Sequence, residues 1–491
     1  MSSLNLYNSY QRKATEFLPI KPPFVGIYVC GPTVYGSPHL GHARGPIVFD
    51  VLNRYLGFLG YKVRFVRNIT DVGHLVNDAD EGEDKIAKKA RLESLEPMEI
   101  AQLYTNAYHQ MLNHLNVLPA SIEPRASGHI IEQIEMIEQI IANGFAYESS
   151  GSVYFDVLNY SKTNDYGKLS GRVLEDLIAG AGNETRELEG QSEKKNPNDF
   201  ALWKKADASH IMQWNSPWGA GYPGWHIECS AMSRKYLGEV FDIHGGGLDL
   251  LFPHHESEVA QSKACTGHNP ANLWMHHNMV TINGQKMAKS LNNGIGISDF
   301  FEGKHTLLEQ AYSPMTLKFF VLQAHYRSTL DFGNAALQAS EKGLNRLLNA
   351  IKTLQTIQPT NDNKINVLAF EEKCLNALND DLNTPILIAH LFDMVTQINQ
   401  LNTKDLSIDA SNLEKLKTLM PLFVFDILGL KEETVNNNSH LDALMQLVLK
   451  IRNEAKQNKN FALSDTIRED LKNAGFEIKD GKEGSSYSIT N

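Results

Sequence analysis

The sequence predicts an α/β protein: a Rossmann-type parallel-sheet domain split by an insertion, followed by an α-helical bundle and a small C-terminal α+β domain. Three observations carry this expectation. The stretch PFVGIYVC reads as a strand running into a glycine-rich turn, GPIVFDVLNRYLGFLG sets Ile47, Val48, Val51, Leu52, Tyr55 and Leu59 on one helical face, and YKVRFVRNIT reads as a second strand. That order is a βαβ unit, in which the strands run parallel and ligands are expected at their C-terminal ends. Past about residue 305 the periodicity turns helical for more than a hundred residues, and the last segment reads as two helices and a short strand pair.

The elements follow in order. Residues 1–145 hold the first half of the sheet domain, mostly helical from about 95 to 145. From SVYFDV to GKLSG the pattern changes to short strands and turns, and AGAGNETRELEGQSEKKNPND is polar and rich in helix breakers, so residues 146–200 read as an inserted segment. VFDIHGGG and the pair NMVTINGQKMA, whose Asn283-Gly284 is a hairpin signal, return the chain to the sheet domain over 201–304. Helices are expected at Thr316–Ala324, Ala335–Ile357 and Phe370–Leu401, with TKDLSIDASN as a connecting loop; these divide into a region 305–345 and a bundle 346–435. Residues 440–491 form the last domain, with a strand pair around Asp480-Gly481.

Composition narrows the function classes. A chain of 491 residues exceeds one ordinary core, so three or more units are expected. Hydrophobic residues at 42% and charged residues at 21% exclude disorder and fibrous repeats. No apolar run approaches the roughly 18 residues of a membrane span, and MSSLNLYNSYQRKATEF has no apolar leader core, which points to the cytoplasm and no membrane contact. Four cysteines (Cys30, Cys229, Cys265, Cys374) make no disulfide framework; reduced thiols are either buried or metal-bound. The net charge of −11 does not suggest a general nucleic-acid binder but leaves room for a local basic patch.

The candidate chemistry begins at CGPTVYGSPHLGH. His39 and His42 lie three apart, so at a helix start they share one face at the N-terminus, where N–H groups and the dipole favour an anion such as a triphosphate. Two histidines alone more often cap a turn. In QKMAKS, Lys286 and Lys289 follow the hairpin on a loop, where two ammonium groups could neutralise charge on transferring phosphates; alone, such a pair is more often solvated surface. Cys229 of GWHIECS, His254 and Glu258 of FPHHESEVAQ, and Cys30 form a possible zinc set, since His254 and Glu258 are four apart on one helical face. The alternative is a buried Cys229 and an exposed helix start.

HLGH followed far downstream by KMAKS resembles the HIGH and KMSKS signatures of class I aminoacyl-tRNA synthetases. With NITD at 68–71, GWHIEC at 224–229 and GGGLDLLFPHHE at 245–256, nearly the whole chain resembles the cysteinyl-tRNA synthetase family. The resemblance implies an ATP-dependent ligase that forms a cysteinyl adenylate from L-cysteine and transfers cysteine to tRNA(Cys), with one zinc per chain and Mg²⁺ accompanying ATP. It implies that His39, Gly41, His42, Lys286 and Lys289 serve ATP, and that Cys30, Cys229, His254 and Glu258 hold zinc. Gly31, Thr33, Thr70, Trp225, His244, Asp249 and His276 are implied as the amino-acid pocket, and Arg468, Asp480 and Tyr487 as tRNA contacts in an anticodon-binding domain at 440–491. Regions 305–345 and 346–435 become stem-contact and tRNA-binding helices, and no obligate protein partner is expected, so the chain should be a monomer.

The chain departs from the commoner pattern of that family in three places. Ala288 stands where KMSKS has a serine, VGHLVNDADEGEDKI separates NITD from the next acidic residues, and GSSYS carries Tyr487 where relatives tend to show tryptophan. Because a thiolate binds zinc far better than a hydroxyl, no editing domain is expected, and the insertion is structural or tRNA-facing. Two rivals differ in acceptor or chemistry. One is a ligase joining cysteine to a small amine, which has no use for the C-terminal helices, and the other is a non-catalytic RNA-binding relative, which the intact motifs disfavour.

Overall fold

The computed structural model describes residues 3–72, 85–173, 193–207, 210–282, 284–286, 294–433, 438–481 and 484–489. The chain forms two compact units, Met1–Lys431 and Glu432–Asn491.

The first unit opens with a short antiparallel pair, β1 (Asn5–Asn8) and β2 (Lys13–Glu16). The βαβ unit follows: β3 (Phe24–Val29), helix α1 (Leu40–Phe58) and β4 (Lys62–Arg67). The face expected to be apolar is the face that packs, with Ile47, Val48, Val51, Leu52 and Tyr55 all buried, while Leu59 becomes the half-buried C-cap. Helix α1 starts at Leu40, ahead of the GPIV stretch, so HLGH is a helix start, and His39 caps it. Helices α2 (Lys85–Glu93), α3 (Pro97–His114) and α4 (Ile130–Ala142) fill the region expected to be helical.

The inserted segment is a sheet of its own. Strands β5 (Ala146–Ser149), β6 (Ser152–Phe155), β7 (Phe200–Lys205), β8 (Trp214–Ser216) and β9 (Gly219–Pro223) pair antiparallel in the order β5-β6-β7-β9-β8. It therefore runs to Pro223, beyond the boundary expected at 200, since ALWKK pairs backwards with SVYF instead of joining the parallel sheet. Phe155 stacks on Phe200 with ring centres 4.8 Å apart, inside a core shared with Trp203 and Ile227.

Helix α5 (Trp225–Leu237), strand β10 (Phe241–Gly247), helix α6 (Glu256–Thr266) and strand β11 (Ala271–His277) then rebuild the first layer. The central sheet has the order β11-β10-β3-β4 and is parallel throughout, so the C-terminal ends of β3, β4 and β10 meet at one edge. Strand β12 (Val280–Ile282) pairs with β13 (Gln285–Lys286) across Gly284, whose φ of 74° suits the turn of the expected hairpin, and with β14 (Leu330–Phe332).

Helices α7 (Pro314–Leu322), α8 (Asn334–Thr356), α9 (Val367–Asn379), α10 (Thr384–Asn402) and α11 (Ala410–Pro421) form the bundle. Helix α8 runs straight through the boundary expected at 345, and the single helix expected over Phe370–Leu401 is two. The break falls at Asp381 and Leu382, both with positive φ, where the Asp381 carboxylate accepts from the Tyr7 N–H and from Tyr326 and Arg327. Buried Lys318 of α7 bonds Asp50 of α1 at 2.9 Å and fastens the bundle to the sheet domain.

The second unit has helices α12 (Asn438–Gln457) and α13 (Phe461–Asn473) and the antiparallel pair β15 (Phe476–Gly481) and β16 (Gly484–Ile489), as expected. Among the described residues no helix is long and apolar enough to cross a membrane.

Candidate active site

A cleft of about 330 Å³ opens at the C-terminal edge of the parallel sheet, where the βαβ order placed it. At one end stand two thiols. Cys30 leaves β3 and Cys229 sits in the second turn of α5, with their sulfurs 3.6 Å apart. The chain between β10 and α6 contains a π turn that brings His254 to the same point, and Glu258 follows one helical turn later. His254 Nε2 lies 3.2 Å and Cys30 Sγ 3.6 Å from Glu258 Oε1, and the donor atoms of all four residues fall within 4.8 Å of one another.

This donor set fits zinc. Tetrahedral bonds of about 2.0–2.3 Å to nitrogen, oxygen and sulfur give donor separations of roughly 3.3–3.8 Å, which brackets the sulfur–sulfur distance. Without a cation, burial and then the neighbouring Cys229 and Glu258 push the Cys30 thiol well above its ordinary pKa, and burial also raises Cys229. Only a positive charge at the centre reverses that preference, because a coordinated thiol is deprotonated.

Sequence reasoning missed His255. Its Nε2 lies 3.3 Å from Cys30 Sγ, and Cys30, His244, His255 and Glu258 make a second, overlapping four-donor set. The signal was present in PHHE, since His254 is four and His255 three residues before Glu258 and both spacings share a helical face. Burial and four surrounding imidazoles, those of His244, His276, His254 and His226, hold His255 far below its ordinary pKa.

His244 and His276 stand behind these donors and not on the cleft wall where the amino-acid pocket was expected. His244 is wholly buried, stacks on Trp274 at 4.3 Å and shares a 2.8 Å hydrogen bond with Glu258 Oε2. His276 bridges His255 Nδ1 and Ser9 Oγ at 2.8 Å each, and burial pushes its pKa down to about 3. His226, also unexpected, shares a 2.9 Å bond with His254 Nδ1 and so fixes that ring's tautomer.

The other pocket candidates do face the cleft. Trp225, the first residue of α5, lies 4.6 Å from the His254 ring, and Asp249 lines the wall. A Cβ on Gly247 would meet Asp249 Oδ1 at 2.3 Å, so the carboxylate in its present place lies against a bare glycine backbone. Thr33 and Thr70 face each other in an isolated bridge between the loop after β3 and the end of β4. A hydrogen-bond chain supports them: the Gly31 N–H donates to Asn68 Oδ1 (2.8 Å), Asn68 Nδ2 to Thr70 Oγ1 (3.1 Å), and Thr70 Oγ1 to buried Glu228 (2.8 Å). Gly31 is required, because a Cβ there would sit 1.7 Å from the Asn68 carbonyl oxygen. Asn68 and Glu228 thus link the segments carrying the two thiols.

At the other end of the cleft, HLGH is the N-terminus of α1. His39 Nδ1 accepts from the Gly41 N–H and His42 Nδ1 from the His39 N–H, both at 3.1 Å, a reciprocal capping box made of imidazoles. Since each Nδ1 accepts, each neutral ring carries its proton on Nε2. Capping uses the Nδ1 of each ring and so does not exclude an anion at the same helix start. Lys286 ends β13 opposite Thr281, and Lys289 lies outside the described residues. The chain re-enters beside HLGH: Leu40 N–H donates to the Ile295 carbonyl and Ile297 N–H to that of Pro38.

In the second unit, Arg468 is exposed on α13, Asp480 pairs with Ser485, and the Tyr487 ring meets Phe476 edge-on at 6.1 Å. Cys265 and Cys374 are buried, the former accepting from Arg234, and belong to the packing.

Residues 16–342 match the family model of the tRNA synthetases class I (C) catalytic domain, and residues 373–432 match the DALR domain. The fold aligns with a methionyl-tRNA synthetase of Mycobacterium tuberculosis bound by methionyl-adenylate, at a TM-score of 0.59 and 13% identity over 82% of this chain and 92% of that one, a likeness of fold alone. Fold and domain matches together define a class I aminoacyl-tRNA synthetase. Cysteine–tRNA ligases of Phocaeicola vulgatus, Bacteroides fragilis and Chlorobaculum tepidum are 60%, 59% and 47% identical, each over 99% of both chains. The chain belongs to the cysteine–tRNA ligase family.

Proposed function

We propose that the chain activates L-cysteine with ATP to a cysteinyl adenylate and pyrophosphate, transfers cysteine to the 3′ end of tRNA(Cys), and selects cysteine over serine at a zinc site. The observation that carries this reading is the meeting, in one cleft, of the Cys30, Cys229, His254 and Glu258 donors with the α1 N-terminus. Zinc held by those four residues would supply a borderline-soft centre that prefers a thiolate to a hydroxyl. His244 and His276 act from behind, orienting Glu258 and His255.

The remaining steps belong to the protein's own side chains. Trp225 closes the floor beside the donors, Asp249 takes the substrate ammonium, and Gly31, Thr33 and Thr70 set the wall opposite. ATP enters as its magnesium complex over Gly41 and the α1 N-terminus, where the Nε2–H groups of His39 and His42 and the helix dipole favour phosphate charge. The cysteine carboxylate, already ionised, attacks the α-phosphorus and pyrophosphate leaves; Lys286 and Lys289 neutralise charge as it develops. A terminal ribose hydroxyl of the tRNA then attacks the adenylate carbonyl and AMP departs. Arg468, Asp480 and Tyr487 contact the anticodon end, and the protein works in the cytoplasm as a monomer.

The test is pyrophosphate exchange into ATP with cysteine and with serine, on protein of known zinc content, followed by transfer to tRNA. Exchange with cysteine alone, one zinc per chain and charged tRNA are expected. Exchange without transfer would favour a small-amine acceptor.

A further inference from the structure

A second concave site lies apart from the cleft, and the two share no lining residue. It encloses about 380 Å³ between the turn that follows β1 and the turn at 167–171 of the inserted segment, and Arg12, Lys168 and Arg172 line it. In a chain of net charge −11, three cations against one carboxylate in one hollow are a local inversion of sign. The exposed pair Lys168 and Asp165, at 3.8 Å, offsets little of it.

Both guanidinium groups are held in place. Arg12 takes the left-handed conformation at φ 55°, and its Nη2 donates to the Lys168 carbonyl at 3.4 Å. It rests on Gly171, where a Cβ would come within 2.2 Å of Nη2, so the glycine is the seat of the arginine. Arg172 lies 4.1 Å over the ring of Phe252. The turn at 167–171 is tied down as well, since Ser170 N–H donates at 2.8 Å to buried Glu256, the first residue of α6. Two arginine forks lining one hollow are suited to phosphate oxygens.

We propose that this hollow binds a phosphodiester of the tRNA strand leading to the reacting 3′ terminus, with Arg12 and Arg172 as its clamp. The inference rests on the ligase reading above. Position argues for that strand: Phe252, on which Arg172 lies, is two residues from His254, so the segment under the clamp runs directly into the amino-acid end of the cleft. The inserted sheet thereby gains a tRNA-facing role.

The test uses full-length protein carrying Arg12→Ala, Arg172→Ala or both, beside Arg12→Lys and Arg172→Lys, in cysteine-dependent pyrophosphate exchange and in tRNA charging at several salt concentrations. Exchange should be unchanged, which also reports that each variant folds. The KM for tRNA should rise about three- to fivefold per alanine, as an exposed charge-assisted contact allows. The salt dependence of binding should flatten by about one unit of log–log slope per arginine lost, with the lysine variants intermediate. An unchanged KM and slope in the double variant overturns the proposal, and so does a raised KM for ATP with that for tRNA unmoved, which would assign the hollow to a free polyphosphate. Wild-type protein that exchanges with no amino acid would overturn the ligase reading itself and this clamp with it.

Discussion

The two ends of the cleft are built in opposite ways. At the thiol end Cys229, His244, His254 and Glu258 are all buried, and side chains hold side chains through His226, His276 and Glu228. At the HLGH end both imidazoles remain partly exposed, bonded to backbone N–H groups of their own turn and lying against each other with ring centres 3.9 Å apart. Discrimination between sulfur and oxygen in so small a substrate demands donors fixed in a dry site, where an unmatched ion stays underpaired. A polyphosphate needs donors within reach of water and of a loop that delivers charge. In the proposed reading one sheet edge serves both, because the strand ends fix the donors and the helix start offers its amides.

The sharpest way to break the contrast is Cys229→Ser. Loss of a donor should cost cysteine-dependent exchange more than the roughly 100-fold that outer-shell losses reach, and zinc content should fall with it. Normal zinc and normal exchange in that variant would remove the metal from the account of selectivity. At the other end, His39→Asn keeps a good helix cap but deletes the Nε2–H, so exchange should slow on the order of 100-fold while thermal stability barely moves. A fall in melting temperature without a rate loss would make His39 a cap alone.

Smaller effects sharpen the distinction. His244→Ala leaves the four donors in place and frees Glu258 Oε2, so zinc affinity should weaken by a few tens of fold, read by chelator competition. An unchanged affinity would show that the buried histidines do not orient the donors. Lys318 is the control remote from both ends: Lys318→Met should lower stability by about 3 kcal/mol, as for a broken buried ion pair, and leave the cysteine-to-serine ratio untouched. Burial holds its pKa down to about 8 against an ordinary 10.5, so the unfolded chain binds the extra proton between those values. Wild-type stability should gain from this group as pH rises from about 8 to 10.5, and the methionine variant should lack that gain.

Much of this was legible in the sequence, and the failures share a cause. Local periodicity sufficed for β3, α1 and β4, for the pairing of β12 with β13 across Gly284, and for the last two helices and strand pair. The four donors were legible from residue type and spacing together with the family resemblance. What escaped depended on distant partners. The extra reach of the inserted sheet to Pro223 comes from β7 pairing with β6, across some forty residues of chain. The helix break at Asp381 comes from Tyr7, Tyr326 and Arg327, which give its carboxylate more than a continued helix would. His255 hid because i+3 and i+4 spacings look alike until the π turn decides which ring points where.

The two thiols reach one point from either side of a separately formed sheet, Ala146–Pro223. On the ribosome Cys30 emerges long before Glu258, and the intervening sheet must settle before the fourth donor can meet the first. Under the proposed zinc reading, metal capture is therefore a late event of synthesis, and a chain that holds the ion has already brought both flanks of that sheet together.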